Sequence, residues 1–242
     1  MTTFPIALDQ PDVPRRRYGR RTLALSAVDV ARRVLNVTLA LVLLVVALPV
    51  LAIIAIAVKL SSPGPVFYTQ TRVGLNRRRL LPPGTRYRPT DRGGKPFTIF
   101  KFRTMRVNDG TNGPDDPGQV WATPDDPRVT RVGRILRLYR LDELPQLVNV
   151  LLGDMDIVGP RPEQPAIFTQ LREQIPGYQA RQRVRPGITG WAQINQHYDS
   201  SIEDVRRKLK FDLEYIGRRS LTEDLHIMLL TFPVLAGKFG AW

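Results

Sequence analysis

Leu141-Asp142-Glu143-Leu144-Pro145-Gln146 sets two adjacent carboxylates where a helix is expected to begin. Gly153-Asp154-Met155-Asp156-Ile157-Val158-Gly159-Pro160-Arg161-Pro162 follows and frames an arginine with glycine and proline. Paired carboxylates can order a divalent cation, and arginine binds phosphate oxygens bidentately. Asp142 is expected at the N-cap or first position of its helix. Free N–H groups and the helix dipole there keep a carboxylate ionised and can also receive phosphate. Aspartate is an ordinary N-cap too, so Asp142 alone implies no chemistry. Its neighbours carry the argument: Glu143 doubles the charge, and Arg137 and Arg161 can each grip a phosphate. The set suits phosphoryl transfer through an aspartyl-phosphate-type intermediate, and it suits a metal-activated hydrolase. Spacing leaves both open.

The rest of the composition narrows the metal. The 242 residues include no cysteine and two histidines, His197 and His226. Disulfides, thiolate sites and multi-histidine zinc sites are excluded. A metal would rest on the carboxylates Asp142 and Glu143, whose hard oxygens favour Mg²⁺, with Mn²⁺ as the alternative. The formal net charge of +14 favours anionic partners such as lipid headgroups and nucleotides. A membrane-tethered nucleic-acid-binding protein would also be basic. Here the charge is spread along the chain with no aromatic-interleaved basic motif, so no nucleic acid is expected.

The elements that must position this chemistry begin at a membrane. Residues 1–33 form a polar, arginine-rich arm, and residues 34–58 are a long apolar run. As a helix that run is about 37 Å long, enough for a hydrocarbon core of about 30 Å. Pro49 would leave the carbonyl of Val45 without its helical donor, which is costly in lipid. Basic residues flank both ends: Arg32 and Arg33 before, then Lys59, Arg72, Arg77, Arg78 and Arg79 after. Positive charge marks the cytoplasmic side, so both ends call for the same side. The pattern predicts a re-entrant helix broken at Pro49, with a straight span as the simpler alternative. A cleaved signal peptide fits poorly, because the run starts late and is too long.

Beyond it, residues 66–72 and 97–104 read as two strands of a small hairpin, with the basic, Pro/Gly-rich stretch 77–94 inserted at its tip. Residues 106–128 read as a solvated loop. Helices are expected over 130–139, with Val132, Ile135, Leu136 and Tyr139 on one face, then over 143–152, 163–175 and 201–216. A last apolar segment runs from Thr222 to about Phe239, kinked at Pro233. The fold class is α+β and mainly helical: a re-entrant membrane helix, a small β-hairpin and several amphipathic interfacial helices. Its parts are the arm 1–33, the membrane helix 34–58 and a cytoplasmic catalytic domain 59–242.

Six groups of residues together resemble the bacterial sugar transferases, the monotopic phosphoglycosyl transferases. They are Leu141 to Gln146, Gly153-Asp154-Met155, Gly159-Pro160-Arg161-Pro162, Arg185-Pro186-Gly187-Ile188-Thr189-Gly190-Trp191, and the earlier Lys101-Phe102-Arg103-Thr104-Met105 with Ser62-Pro63-Gly64-Pro65-Val66-Phe67. The resemblance covers roughly residues 30–236. It implies transfer of a sugar-1-phosphate from a UDP-sugar to polyprenyl (undecaprenyl) phosphate, with release of UMP. That reaction starts exopolysaccharide, O-antigen or related glycan assembly at the cytoplasmic face of the inner membrane, and it uses Mg²⁺. Asp142 matches the nucleophile that takes up the phosphosugar, Glu143 the residue that places metal or substrate, and Arg161 the phosphate-binding arginine. Arg137, Arg103, Lys101 and Arg185 are further candidates for substrate phosphate. Implied partners are the UDP-sugar, polyprenyl phosphate and membrane lipids, with a homodimer as a further candidate. Two residues depart from the pattern: Leu48 and Asp156 stand where the family often has serine. The chain reads as the small form, without the multi-span N-terminal region of larger members.

Overall fold

The computed structural model describes residues 27–76, 93–106, 126–196 and 201–236. The basic arm before residue 27, nearly all of the 77–94 insertion and residues 107–125 lie outside the described residues. Helix α1, Ala27–Ser61, extends past the apolar run at both ends. It continues through Pro49, so the two expected arms form one helical run rather than ending there. Among the described residues it is the one helix long and apolar enough to cross a membrane. Much of its surface points outward, with Val46 70% and Ile53 67% exposed.

Both ends of α1 nevertheless seat on one folded body. Leu39, Ala40 and Leu44 join Phe97, Ile99 and Leu147. Leu51, Ile54, Ala55 and Val58 join Phe102 and Leu136. Polar side chains pin the first of these contacts. Arg32 Nη2 lies 2.6 Å from Asp224 Oδ2 and donates to the Tyr215 hydroxyl at 3.0 Å. Arg33 donates to the carbonyls of Val150, Leu151 and Met155. Asn36 Oδ1 accepts from the Ile157 N–H at 2.6 Å. Each satisfies a group that a purely apolar helix would leave unpaired.

The expected hairpin is present. Strands β1, Phe67–Val73, and β2, Pro96–Phe102, pair antiparallel, with Tyr68 opposite Lys101 and Arg72 opposite Phe97. Helix α2, Arg131–Leu138, starts at Thr130, whose Oγ1 accepts from Gly133 N at 2.9 Å. Its expected apolar stripe is divided: Leu136 is buried, while Ile135 and Tyr139 are exposed. Gly133 explains this. It lies against the Thr104 backbone, where an added Cβ would sit 2.0 Å from the carbonyl oxygen, so the face carrying Gly133 and Leu136 turns inward.

A 3₁₀ turn over Leu141–Glu143 leads into helix α3, Gln146–Leu152, which Gly153 ends at φ 84°. A feature the sequence did not suggest follows: strands β3, Asp156–Val158, and β4, Gly187–Thr189, pair parallel. Two glycine motifs thereby meet backbone to backbone. A Cβ on Gly187 would lie 2.1 Å from Gly159 N, so nothing larger fits. Helices α4, Pro165–Gln174, α5, Trp191–Asn195, α6, Ile202–Arg218, and α7, Leu221–Ala236, complete the described elements, with a 3₁₀ segment over Tyr178–Arg183. Ser201 caps α6, its Oγ accepting from Asp204 N at 3.1 Å. The described residues are mainly helical, with two small two-stranded sheets and one long apolar helix. Helix α7 runs past Pro233 and presents Leu229 and Phe232 outward, 68% and 70% exposed.

The Arg32–Asp224 pair generates a stability prediction. Both side chains are buried, so Asp224→Asn leaves Arg32 as an uncompensated buried charge, at a cost of about 3–5 kcal/mol. Denaturant unfolding of the solubilised protein should show that loss. The double change Arg32→Met with Asp224→Leu should recover most of it. An unchanged midpoint in Asp224→Asn would show that the pair does not hold α1 in place.

Candidate active site

The two carboxylates sit on the 3₁₀ turn between α2 and α3. Arg140 enters it at φ 53°, the one left-handed non-glycine residue among those described. Such a conformation costs on the order of 1 kcal/mol and persists only where the surroundings enforce it. Glu143 N bonds to Arg140 O at 3.2 Å and Leu144 N to Leu141 O at 3.3 Å. Asp142 therefore does not cap α3, contrary to expectation. Pro145 is the cap residue, and the tighter turn intervenes. This turn directs both side chains inward, leaving Asp142 9% and Glu143 6% exposed.

Their surroundings differ sharply. Glu143 Oε1 accepts from Lys101 Nζ at 2.9 Å and from Arg161 Nη2 at 2.6 Å, while Oε2 lies 3.3 Å from Arg161 Nη1. Burial acts to raise the Glu143 carboxyl, but Arg161 and Lys101 outweigh it and hold the group well below the ordinary glutamate range. Asp142 goes the other way. Burial raises its carboxyl, the neighbouring Glu143 charge raises it further, and Lys101, Arg161 and Arg137 only partly oppose them. No hydrogen bond from another described residue reaches the Asp142 carboxylate. Lys101 is itself lowered, first by burial, with Glu143 opposing.

The structure thus brings Asp142, Glu143, Lys101 and Arg161 together. Arg137 joins their field, anchored by an Nε bond to Thr104 Oγ1 at 2.9 Å. Two candidates lie elsewhere. Arg103 falls past the end of β2, where the carbonyls of Ser62, Pro63 and Val58 take its guanidinium at 2.6, 2.9 and 3.2 Å. It caps the last turn of α1 and is not presented to phosphate. Arg185 precedes β4 and donates to Gly153 O at 3.1 Å. Its other contact is Asp156, on which Arg33 and Arg219 also converge at 3.6 and 3.4 Å. Asp156 is therefore the shared counter-ion of an arginine cluster around β3, apart from the dyad.

Arg72 is a residue of the site that motif reading missed. It donates to Pro162 O at 3.2 Å and to Gln70 Oε1 at 2.6 Å. Burial lowers its pKa, and Glu163, Arg161 and Glu143 all lie within its field. The signal was available: Tyr68, Gln70 and Arg72 alternate along β1, so a strand's period of two puts them on one face.

Among the described residues no cluster of three or more metal-ligating side chains exists. The available donors are the open carboxylate of Asp142 and Oε2 of Glu143. One or two carboxylates, completed by water and substrate phosphate, are what Mg²⁺ accepts. The donor set fits that ion and does not fit zinc.

The structure thus presents a buried acidic dyad on a small α+β body packed against a long apolar helix. The profile of the bacterial sugar transferase family matches residues 27–238, and the chain belongs to that family. It is 44% identical over 202 residues to the UDP-glucose:undecaprenyl-phosphate glucose-1-phosphate transferase of Escherichia coli K12, covering 83% of this chain and 39% of that protein. It is 43% identical to the protein of the same name from Caulobacter vibrioides, covering 86% and 71%. It is 39% identical to the UDP-N-acetylgalactosamine-undecaprenyl-phosphate N-acetylgalactosaminephosphotransferase of Aeromonas hydrophila, covering 80% and 40%. The chain thus spans about two fifths of the E. coli and Aeromonas relatives.

The dyad's asymmetry can be measured. A raised carboxyl stays protonated to a higher pH, and the Glu143 charge is one cause of the rise in Asp142. Glu143→Gln removes that charge and releases Lys101 and Arg161 to act on Asp142. The midpoint of Asp142 should therefore move to lower pH. Infrared titration, with the band assigned by its loss in Asp142→Asn, reads this directly. A midpoint that stays or rises would contradict the electrostatic account.

Proposed function

We propose that this chain transfers a sugar-1-phosphate from a UDP-sugar to a polyprenyl phosphate, undecaprenyl phosphate being the acceptor in its relatives' names, and releases UMP. The observation that carries the reading is the Asp142 carboxylate, inward-facing, without a hydrogen-bond partner among the described residues and flanked by Lys101, Arg161 and Arg137. A carboxylate so placed is available to attack phosphorus. Cations beside it can hold the diphosphate and stabilise charge as it develops.

The chemistry balances in two steps. An Asp142 oxygen forms a bond to the sugar-bearing phosphorus of the UDP-sugar. The bridging P–O bond breaks, and its electron pair leaves with UMP. A phosphate oxygen of the polyprenyl acceptor then attacks the same phosphorus. The Asp142–phosphorus bond breaks, regenerating the carboxylate and giving a polyprenyl diphosphosugar. Arg161 forks onto Glu143 in this structure and can present the same fork to substrate phosphate. Lys101, between strand and dyad, supplies a point charge. Asp142 and Glu143 would hold Mg²⁺, which supplies charge neutralisation on the diphosphate. The product begins assembly of an exopolysaccharide, O-antigen or related glycan.

The membrane arrangement follows the same reading. Helix α1 is re-entrant and the catalytic body lies on the cytoplasmic face. Support comes from the seating of both ends of α1 on one folded body, which cannot occupy both sides of a bilayer. The basic residues at both ends agree with that. Ala27 and Lys59 are exposed near the two ends, and the chain has no cysteine of its own. Single cysteines at these positions should both resist an impermeant thiol reagent in intact cells and both react in inverted vesicles. Labelling of only one in intact cells would establish a full span.

The covalent step has its own test. UDP-sugar and Mg²⁺ without lipid acceptor should release UMP up to one equivalent and leave a phosphosugar mass adduct on Asp142. Asp142→Asn keeps the size, so the fold should survive while adduct and turnover vanish. UMP release that strictly requires the lipid acceptor, with no adduct, would sink the two-step reaction and leave direct transfer. Free sugar phosphate as the product would point to a metal-dependent phosphatase instead.

A further inference from the structure

Arg161 hangs from an unusual backbone. Pro160 and Pro162 on either side have no N–H, so the segment has few donors with which to anchor itself. It is held instead by three consecutive carbonyls. Pro160 O accepts from Gly187 N at 3.1 Å, Arg161 O from Arg181 Nη2 at 2.9 Å, and Pro162 O from Arg72 Nη1 at 3.2 Å. The first is a bond between backbones. The other two depend on side chains that the proposed reaction does not use.

Arg181 is the more firmly fixed of the two. Its Nε donates to Asp212 Oδ2 at 2.6 Å, and its Nη1 donates to the Tyr178 hydroxyl at 2.7 Å and to Glu163 Oε1 at 3.3 Å. Its guanidinium carbon lies 5.0 Å from the centroid of the Tyr178 ring. Lys208 Nζ completes the pairing of Glu163 at 3.0 Å. Asp212 and Lys208 both come from α6. Buried ion pairs of this kind add little net stability over an apolar core, but they specify geometry. The geometry specified here is that of the Arg161 backbone.

We propose that Arg181, oriented by Asp212 of α6, is a positioning residue for Arg161: its bond to the Arg161 carbonyl sets where the Arg161 guanidinium meets Glu143 and substrate phosphate. The proposal rests on the reading of Arg161 as a phosphate-binding residue. Neither Arg181 nor Asp212 touches the dyad. Their influence passes through one carbonyl, and displacement of a substrate-binding group by about 1 Å can cost about a hundredfold in rate.

A double-mutant cycle on the full chain in membranes tests it. Turnover per folded enzyme is measured for wild type, Asp212→Ala, Arg161→Lys and the double variant, with the thermal midpoint of each. Asp212→Ala should lower kcat about tenfold or more when Arg161 is present. Arg161→Lys loses the fork, so Asp212→Ala should lower it by no more than about twofold in that background. Asp212→Asn, which can still accept from Arg181 Nε, should retain most of the activity that Asp212→Ala loses. Equal fold losses in both backgrounds would make Asp212 a stability residue only and overturn the proposal. Should Asp212→Ala fail to fold, Tyr178→Phe, which removes the hydroxyl on Arg181 and keeps the ring, enters the same cycle with the same criteria. Wild-type turnover in Arg161→Lys alone would overturn the reading of Arg161 itself, and this inference with it.

Discussion

The seating of α1 on the body is the constraint from which the rest follows. A helix that must offer apolar surface to lipid has little with which to hold a polar domain. Here three side chains on one face do so: Arg32 to Asp224 and Tyr215, Arg33 to carbonyls at the C-terminal end of α3, and Asn36 to the backbone of β3. The other end is fixed in reverse, with Arg103 of the body reaching out to the carbonyl of Val58 in the last turn of the helix and to those of Ser62 and Pro63 just beyond it. Between these anchors lie β2 and α3, which are tied to each other by Asn149 bonding to Phe100 N and Thr98 O. Lys101 and Glu143 come from the same two regions, so the site's geometry and the docking of the membrane helix are one problem.

Within the site, burial and pairing act on two neighbouring carboxyls in opposite ways. Glu143 receives a fork and a point charge and is held ionised. Asp142 receives burial and its neighbour's repulsion, with no bonded partner among the described residues. Two groups of the same chemistry thereby acquire opposite electrostatic settings. The strained Arg140 makes this possible, because an ordinary helical entry would have pointed the carboxylates along a solvent-facing first turn. Arg161 then joins the two halves: its side chain pairs with Glu143, and its carbonyl is bonded by Arg181, whose partner Asp212 lies on α6.

Local chemistry made much of this legible in the sequence. The length and apolarity of 34–58, the β-branched and aromatic residues of both hairpin strands and the helical spacing of apolar residues over 130–139 are short-range signals, and each of these elements stands within a few residues of where it was expected. The dyad and Arg161 were also legible, since adjacent carboxylates and a proline-framed arginine are uncommon patterns. Which arginine does what was not. A guanidinium reaches several ångströms in any direction, so motif position alone could not place Arg103 on the end of α1, Arg185 beside Asp156, or Arg72 near the dyad.

Tertiary structure decided the remainder for a physical reason common to each case: contacts distant in sequence set the outcome. The parallel pairing of β3 with β4 needs two three-residue segments, too short to show periodicity, and glycines whose absence of Cβ matters only once the backbones meet. The inward face of α2 was chosen by Gly133 meeting Thr104, not by the helix's own apolar stripe. The sequence by itself determined that there would be an apolar membrane helix, a small hairpin and an acidic dyad with arginine nearby. The fold decided which carboxylate is paired and which is open, because that depends on Lys101 and Arg161 arriving from elsewhere in the chain.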